Sequence, residues 1–190
     1  MKRITLTICV TLLTSFFLFS RAQSPDEMKK WMDYMTPSDV HKMMAKWDGN
    51  WNEEIQMWMD PNAPAQNMNA SCVNKMVLGG RYQESLHTGD FNGMPFEGKS
   101  VTGWDNARKI FVSTWVDNFG TGIMYMEGTW NEATKTMELK GKMTDPMTGQ
   151  QTDIREVMKM VDDNTQIMEQ YGVKDGKEYK TMEIKLTRVK

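Results

Sequence analysis

Groups that perform acid–base, nucleophilic or metal chemistry are sparse in this sequence. It contains two histidines, His41 and His87, and two cysteines, Cys9 and Cys72. Cys72 has no histidine close to it in the sequence, and we find no Ser-His-Asp arrangement, glycine-rich phosphate loop or metal-ligand spacing. We therefore predict no catalytic residue, no metal site and no cofactor. An enzyme is the least favoured functional class, after a ligand-binding protein and a structural or interaction module.

Charged residues within predicted strands are the better candidates for a binding site. An arginine on the inner face of a barrel can hold a ligand carboxylate through two parallel hydrogen bonds, and tyrosine hydroxyls can add to such a site. The candidate ligand-binding residues are Arg81, Tyr82, Trp115, Met124, Tyr125, Glu127 and Arg155. Alternatively, the charged members face solvent or form surface ion pairs. Strand periodicity alone does not decide, since both faces of strand 150–161 carry charged and apolar residues.

Methionine is the compositional oddity, with 20 of 190 residues. Its flexible thioether fills irregular apolar space and suits surfaces that accept several ligand shapes. The abundance predicts either a cavity for a small hydrophobic or amphipathic molecule or a solid methionine-filled core. The candidate cavity methionines are Met57, Met76, Met124, Met126, Met158 and Met182. A methionine stripe near His41 also fits a Cu(I) site, but an amphipathic helix gives the same spacing.

The N-terminal residues have the pattern of a secretory signal peptide. A basic start at residues 1–3 precedes an uncharged apolar run over 4–19 and small residues up to Ala22. We expect cleavage near Ala22, export to the periplasm or medium and no membrane span in the mature chain; a retained anchor is the alternative. Residues 23–190 carry 20 basic and 25 acidic residues, a balance that disfavours nucleic-acid binding.

The elements that must position these residues are two short helices followed by about ten strands. Apolar residues recur at helical spacing over 25–47, with a break at Thr36-Pro37, and from Gly49 onward the period falls to two. We predict a signal peptide at 1–22, a helical lead at 23–47 and a mainly β domain at 48–190, which forms an antiparallel up-and-down barrel. After strands near 51–59 and 68–78, the predicted strands are 80–88, 96–104, 109–117, 121–130, 136–144, 150–161, 165–172 and 177–189.

Two sequence features bear on packing between these elements. The pair Gly79-Gly80 favours a reversal of the chain over a bend within one strand. Strand 121–130 carries Ile123 and Tyr125 on one face and Met124 and Trp130 on the other, so neither face suits water. We expect the helices within 28–47 to cover its outer side, or a second subunit to do so in a homodimer.

Several motifs resemble those of known families. Gly49-Asn50-Trp51 after a helical lead, with Arg188 in the last strand, is similar to the lipocalin and fatty-acid-binding pattern. That likeness implies that Arg188 lies across Trp51 and closes the barrel bottom.

Over residues 40–190 the sequence also resembles the bacterial domain of unknown function 1579 family. The motifs are Trp-Met-Asp-Pro-Asn-Ala-Pro at 58–64, Val-Leu-Gly-Gly-Arg-Tyr at 77–82, Pro-Phe-Glu-Gly at 95–98, Gly-Trp-Asp-Asn at 103–106, Ser-Thr-Trp-Val-Asp-Asn-Phe-Gly-Thr-Gly-Ile at 113–123, Asp-Pro-Met-Thr-Gly at 145–149, Arg-Glu-Val at 155–157 and Gly-Lys-Glu-Tyr-Lys-Thr-Met-Glu-Ile at 176–184.

The family resemblance implies a lipocalin-like barrel and brings no reaction, ligand or catalytic residue. The sequence therefore leads to an exported, non-enzymatic barrel that binds a small hydrophobic or amphipathic molecule. Arg81 and Arg155 are the expected polar anchors. The alternative is a structural or interaction module that acts through the outer face of the barrel.

Overall fold

The computed structural model of the protein describes residues 24–190, so the predicted signal peptide lies outside the described residues. The chain divides into two compact units between Thr36 and Pro37. The first contains helix α1, Pro25–Met35, and the second contains helix α2, Asp39–Ala45, together with all ten strands of the described chain. The second predicted helix therefore belongs to the same unit as the barrel.

Both helices begin with reciprocal side-chain caps. At α1, Ser24 accepts from the backbone N–H of Glu27, and the Glu27 carboxylate accepts from the backbone N–H of Ser24. At α2, Nδ1 of His41 takes the glutamate's part and accepts from the Ser38 backbone N–H at 2.9 Å. This α2 begins after Ser38, just past the predicted break at Thr36-Pro37. This capping hydrogen bond explains the position of the His41 side chain without a metal ion.

The ten strands form one closed antiparallel barrel in which each strand pairs with the next along the chain and β1 pairs with β10. The predicted fold class is confirmed. The strands are β1 Gly49–Met57, β2 Gln66–Val77, β3 Tyr82–Phe91, β4 Met94–Asp105, β5 Ile110–Asp117, β6 Met124–Asn131, β7 Thr136–Thr144, β8 Gln151–Asp162, β9 Thr165–Lys174 and β10 Lys177–Arg188.

The turn after β2 sets the pairing of the strands that will carry the candidate site. Leu78, Gly79 and Gly80 all have positive φ, which glycine adopts without the cost of a Cβ clash. The chain reverses here, as predicted from the paired glycines. Val77 then lies opposite Tyr82, and Cys72 lies opposite His87.

One end of the barrel is closed by α2 and the segment that follows it. Met44 and Trp47 pack on an inner cluster that includes Phe111 and Met126, and Trp130 contacts the Trp47 ring with 6.0 Å between centroids. The predicted cover for the outer side of strand 121–130 is therefore not supplied by α2, which fills the inside. Of that outer side, Ile123 is 72 % exposed and Tyr125 49 %.

Arg188 ties this closed end to the barrel wall. Its guanidinium carbon lies 4.2 Å from the centroid of the Trp51 ring, a favourable cation–π distance. The same group donates hydrogen bonds to the backbone oxygens of Lys46 and Asp48, in the α2–β1 connection, and of Asp163, in the β8–β9 turn. A single side chain of β10 thus joins these two segments.

We expect Arg188→Ala to lower the free energy of unfolding by about 2–4 kcal/mol, because it removes charge-assisted hydrogen bonds to three carbonyls and exposes the Trp51 face. Urea unfolding followed by tryptophan fluorescence measures the loss. Arg108→Ala, which removes only a surface ion pair to Glu127, is the matched control and should cost much less. Equal losses in the two variants would contradict the closing role of Arg188.

Candidate functional site

The barrel encloses a cavity of about 120 Å³ between its two hydrophobic clusters. Strands β2 to β5 line one side of it almost entirely with polar side chains. These are Cys72, Asn74, Gln83, Ser85, His87, Ser100, Thr102 and Ser113. They reach the interior because alternate residues of a strand point to the same face. We call this side the polar wall.

The opposite side of the cavity is mainly apolar and comes from β6 to β10. Its thioethers and aliphatic groups are flexible enough to adapt to different contents. The apolar residues are Met126, Met137, Leu139, Met158, Met160, Met168 and Leu186. We call this side the methionine wall. A cavity lined by methionines was one of the two predicted outcomes, although only Met126 and Met158 of the six candidates line it.

Two amides of the polar wall hold the end plug in place. Asn74 Nδ2 donates to the backbone oxygen of Trp47 at 3.2 Å, and Gln83 Nε2 donates to that of Met44 at 2.9 Å. These carbonyls belong to the last turn of α2 and the residues just after it, where helix carbonyls lack partners within the helix. Both amides therefore have a structural role, while the hydroxyls of the wall, such as Thr102 and Ser113 at 3.0 Å from each other, face the cavity.

A buried chain of three ionisable groups crosses the first three strands. His87 Nδ1 lies 3.0 Å from Glu53 Oε1, and His87 Nε2 lies 3.7 Å from Cys72 Sγ. Glu53 is 2 % exposed and Cys72 is 1 % exposed. Burial raises the pKa of the Cys72 thiol, and the nearby charge of Glu53 raises it further. The thiol therefore keeps its proton at neutral pH and donates to Asn74 Oδ1 at 3.0 Å.

A second carboxyl group, Glu156 of β8, interrupts the methionine wall. It accepts a hydrogen bond from Gln170 Nε2 at 3.1 Å. Burial raises the pKa of Glu156, and the hydrogen bond from Gln170 and the proximity of His87 oppose that rise only in part. Protonation is the cheapest way for a carboxyl group to stay in such surroundings.

The predicted binding residues divide between the inside and the outside of the barrel. Trp115 lines the cavity, where its ring packs edge-on against His87 with 5.0 Å between centroids and its Nε1 donates to Asp117 at 2.6 Å. Met124 lies on the inner face and packs against the cluster at the plugged end. Arg81 instead lies in the β2–β3 turn, where it donates to the Leu78 backbone oxygen.

The other candidate binding residues lie on the outer surface, which for the charged ones was the alternative to an inward orientation. Tyr82 is exposed on β3. Tyr125 and Glu127 form a surface group with Arg108, which donates to the Glu127 carboxylate through both Nη atoms at 2.6 Å. Arg155 binds the carboxylate of Glu178 at 2.7 and 2.8 Å and lies over the Tyr171 ring. Strand alternation explains these positions, because the neighbours Met126 and Ile154 are buried inside.

The family described as "Protein of unknown function (DUF1579)" matches residues 36–188. The chain belongs to the DUF1579 family. This agrees with the resemblance read from the motifs between residues 40 and 190. A search of the curated proteins finds no match to the chain.

This DUF1579 barrel is also similar to a solved structure, the crystal structure of Rv2717c from M. tuberculosis. The TM-score is 0.59 at 12 % sequence identity, with 82 % of this chain and 100 % of that chain covered. At such low identity the likeness concerns the fold alone. Within residues 24–190 of the DUF1579 chain, no helix has the length and apolarity that a membrane crossing requires.

The functional residues missed in the sequence were detectable from strand register. Trp51 and Ile55 are apolar residues at odd-numbered positions of the first strand, and the same parity places Glu53 inside with them. The predicted reversal at Gly79-Gly80 brings residues at equal distances from the turn opposite one another, and Cys72 and His87 are such a pair. Cys72 and His87 are 15 residues apart in the sequence, so proximity along the chain does not reveal the pair.

The raised pKa of Glu156 gives the DUF1579 barrel a pH-dependent stability term. A carboxyl group whose pKa is higher in the folded chain stabilises it when protonated, and this contribution is lost as pH rises from the unfolded value through the folded one. We therefore expect Glu156→Gln to unfold at the same temperature as the wild type at pH 4 and at a higher temperature at pH 8. The substituted amide oxygen can still accept from Gln170.

Thermal unfolding followed by circular dichroism at the two pH values tests this expectation. Glu54→Gln, on the outer face of β1, is the control and should show no such gain between pH 4 and pH 8. A difference for Glu156→Gln that is the same at both pH values would contradict the assignment.

Proposed function

We propose that this member of the DUF1579 family is an exported, non-enzymatic barrel that binds a small amphipathic molecule in its interior cavity. The export part rests on the signal-peptide pattern of residues 1–22. The binding part rests on the division of the cavity lining into two chemically different walls.

The two walls are the observation that carries the proposal. A ligand with a polar end finds hydroxyl and imidazole groups on β3 to β5, at Ser100, Ser113 and His87 among others. Its apolar end finds the methionine wall, whose side chains can shift to fit it. A pocket that is largely apolar with a few placed polar groups is typical of small-molecule sites. Hydroxyl groups at the centre of a solid core would cost free energy of burial that apolar side chains avoid.

The volume of the cavity limits the size of the ligand. About 120 Å³ is close to the ~150 Å³ of a protein cavity that accepts benzene, and well below the ~300 Å³ at which drug-sized sites begin. The proposed ligand is therefore a single-ring or short-chain amphiphile, such as a phenol or a short fatty acid. A long-chain lipid would require the methionine wall to repack.

The properties of Cys72 and Glu156 favour binding over catalysis. The thiol is buried with a raised pKa, which disfavours the thiolate that a nucleophile requires. Glu156 accepts a hydrogen bond from Gln170 within the methionine wall, and burial raises its pKa, which favours the neutral acid. The hydroxyls of the polar wall remain as hydrogen-bonding partners for a bound molecule.

Ligand-observed NMR and thermal shift with a panel of phenol, benzyl alcohol, hexanoate and hexadecanoate test the proposal. We expect at least one short amphiphile to bind and raise the unfolding temperature with concentration, as mass action requires, and hexadecanoate to bind more weakly. Native mass spectrometry of protein purified from its own host should show an added mass in the same size range.

A cavity-filling variant locates the binding. Ser100→Leu places an isobutyl group in the cavity and should abolish binding of the short amphiphile. Ser71→Leu, on the outer face of β2, is the matched control and should bind as the wild type does. Binding that survives Ser100→Leu, or no binding by any panel member together with a bare mass from the host, would overturn the proposal.

The outer face of β6 supports a second candidate, an interaction module that pairs with another copy or a partner. Ile123, just before β6, and Tyr125 leave apolar surface on this side of the barrel, beside the ion pair of Arg108 and Glu127. That ion pair lowers the pKa of Glu127 to about 2, so it stays charged through the physiological range. Trp130, by contrast, points inside and takes no part.

Light scattering distinguishes this second function from the first. A dimer that forms through β6 should dissociate in Tyr125→Glu and persist in Asn52→Glu, a substitution on the outer face of β1. A monomer at all concentrations would remove the homodimer form of this candidate.

A further inference from the structure

We propose that Glu53, Cys72 and His87 form a binding site for a divalent metal ion of the zinc type, at the edge of the cavity. The three residues come from the adjacent strands β1, β2 and β3 and point inside the barrel. This site goes beyond the proposed function, since it does not depend on the binding of an organic molecule.

The register of the strands brings the three side chains together. Cys72 and His87 face each other directly across β2 and β3, where opposing side chains are about 4.5–5.5 Å apart at Cβ. On the other side of β2, Cys72 lies opposite Trp51, so Glu53 is its diagonal neighbour. One donor atom from each residue can be chosen such that all three lie within 4.8 Å of one another.

The distances are close to those of a tetrahedral metal site. Bond lengths of about 2.3 Å to sulfur and 2.0–2.1 Å to nitrogen place these two donors about 3.6 Å apart around one ion. His87 Nε2 and Cys72 Sγ are 3.7 Å apart. The Glu53 carboxylate now lies 3.0 Å from Nδ1 of His87, so it must leave that ring nitrogen and move towards the Nε2 side to become the third donor.

The donor set selects the class of metal. Cys72 carries its proton in the metal-free chain and releases it to solvent when the ion binds, because a metal ion deprotonates a coordinating thiol. The resulting thiolate, one imidazole and one carboxylate form a set that binds zinc and its spectroscopic substitute cobalt, whereas Mg²⁺ and Ca²⁺ require sites of oxygen atoms. Burial also favours a cation here. Glu53 is a carboxylate at 2 % exposure whose partner for Oε1 is a histidine, and a buried negative charge of this kind is stabilised by a positive ion.

The position of the site leaves room for a fourth ligand. Cys72 and His87 both line the cavity, so an ion between them borders the enclosed space. Three protein ligands with one open position distinguish exchangeable zinc sites from closed structural ones. Water or the polar end of a bound molecule can occupy that position.

Cobalt titration of the full, untagged chain tests the proposal. We expect one Co²⁺ per chain, with visible bands of tetrahedral intensity and a near-ultraviolet charge-transfer band from the thiolate, and displacement of both by Zn²⁺. Cys72→Ser should lose the charge-transfer band, and His87→Gln and Glu53→Gln should each weaken cobalt binding by at least about tenfold. Weak octahedral bands alone in the wild type would overturn the proposal.

The chain offers a matched control for the histidine variant. His41→Gln removes the other histidine while keeping a residue that can cap α2, and it should bind cobalt as the wild type does. A charge-transfer band that persists in Cys72→Ser would place the ion elsewhere and contradict the site.

X-ray absorption of the zinc-loaded wild type keeps the test independent of variant folding. One sulfur at about 2.3 Å with nitrogen and oxygen ligands at about 2.0–2.1 Å is expected. The absence of a sulfur ligand would overturn the proposal even if every variant unfolded.

Discussion

Closure of the sheet is the constraint on which the rest of this structure depends. Because β1 pairs with β10, every strand has one inner and one outer face, and no edge is left to pair with another chain. A residue's environment then follows from its parity. Arg188 maintains this closure from the last strand, since it covers Trp51 and joins the end of α2 to the β8–β9 turn. The plug formed by Met44 and Trp47 depends on the same end staying closed.

The polar wall serves two purposes that its hydrogen bonds separate. Asn74 and Gln83 add hydrogen bonds to two carbonyl groups at the end of α2, which also accept from Trp51 Nε1 and from the Trp47 backbone N–H. Their polarity is a requirement of the plug. The hydroxyls at Ser100 and Ser113 belong to the middle of the cavity instead. Only this second group is available to a ligand, and the two groups cannot be told apart from the sequence.

The helices, the strand number and the closed barrel follow from the sequence, because the period of apolar residues and the turn residues specify them. Glu53 and the Cys72–His87 pair also follow, once the first-strand parity and the Gly79-Gly80 reversal are combined. Periodicity does not tell which face of β8 lies inside the barrel, since one face carries Arg155 and the other Glu156. A physical asymmetry decides between them: glutamate can be buried as the neutral acid, whereas arginine keeps its charge and requires a surface partner, here Glu178. The exact cavity could not be predicted, because its shape depends on how side chains from different strands meet.

The cavity exists because of particular side chains and not because of the diameter of the barrel. Many of the residues that line it are methionine, leucine or tryptophan, which fill space, whereas Ser85, Ser100, Thr102 and Ser113 on β3 to β5 are small. Larger apolar residues at these four positions would give a solid core. An empty cavity of 120 Å³ costs roughly 3 kcal/mol of stability at the measured penalty per unit volume, and water on the polar wall recovers only part of it. A chain that keeps small polar residues at its centre sacrifices stability where a binding site needs space, as proteins commonly do at functional sites.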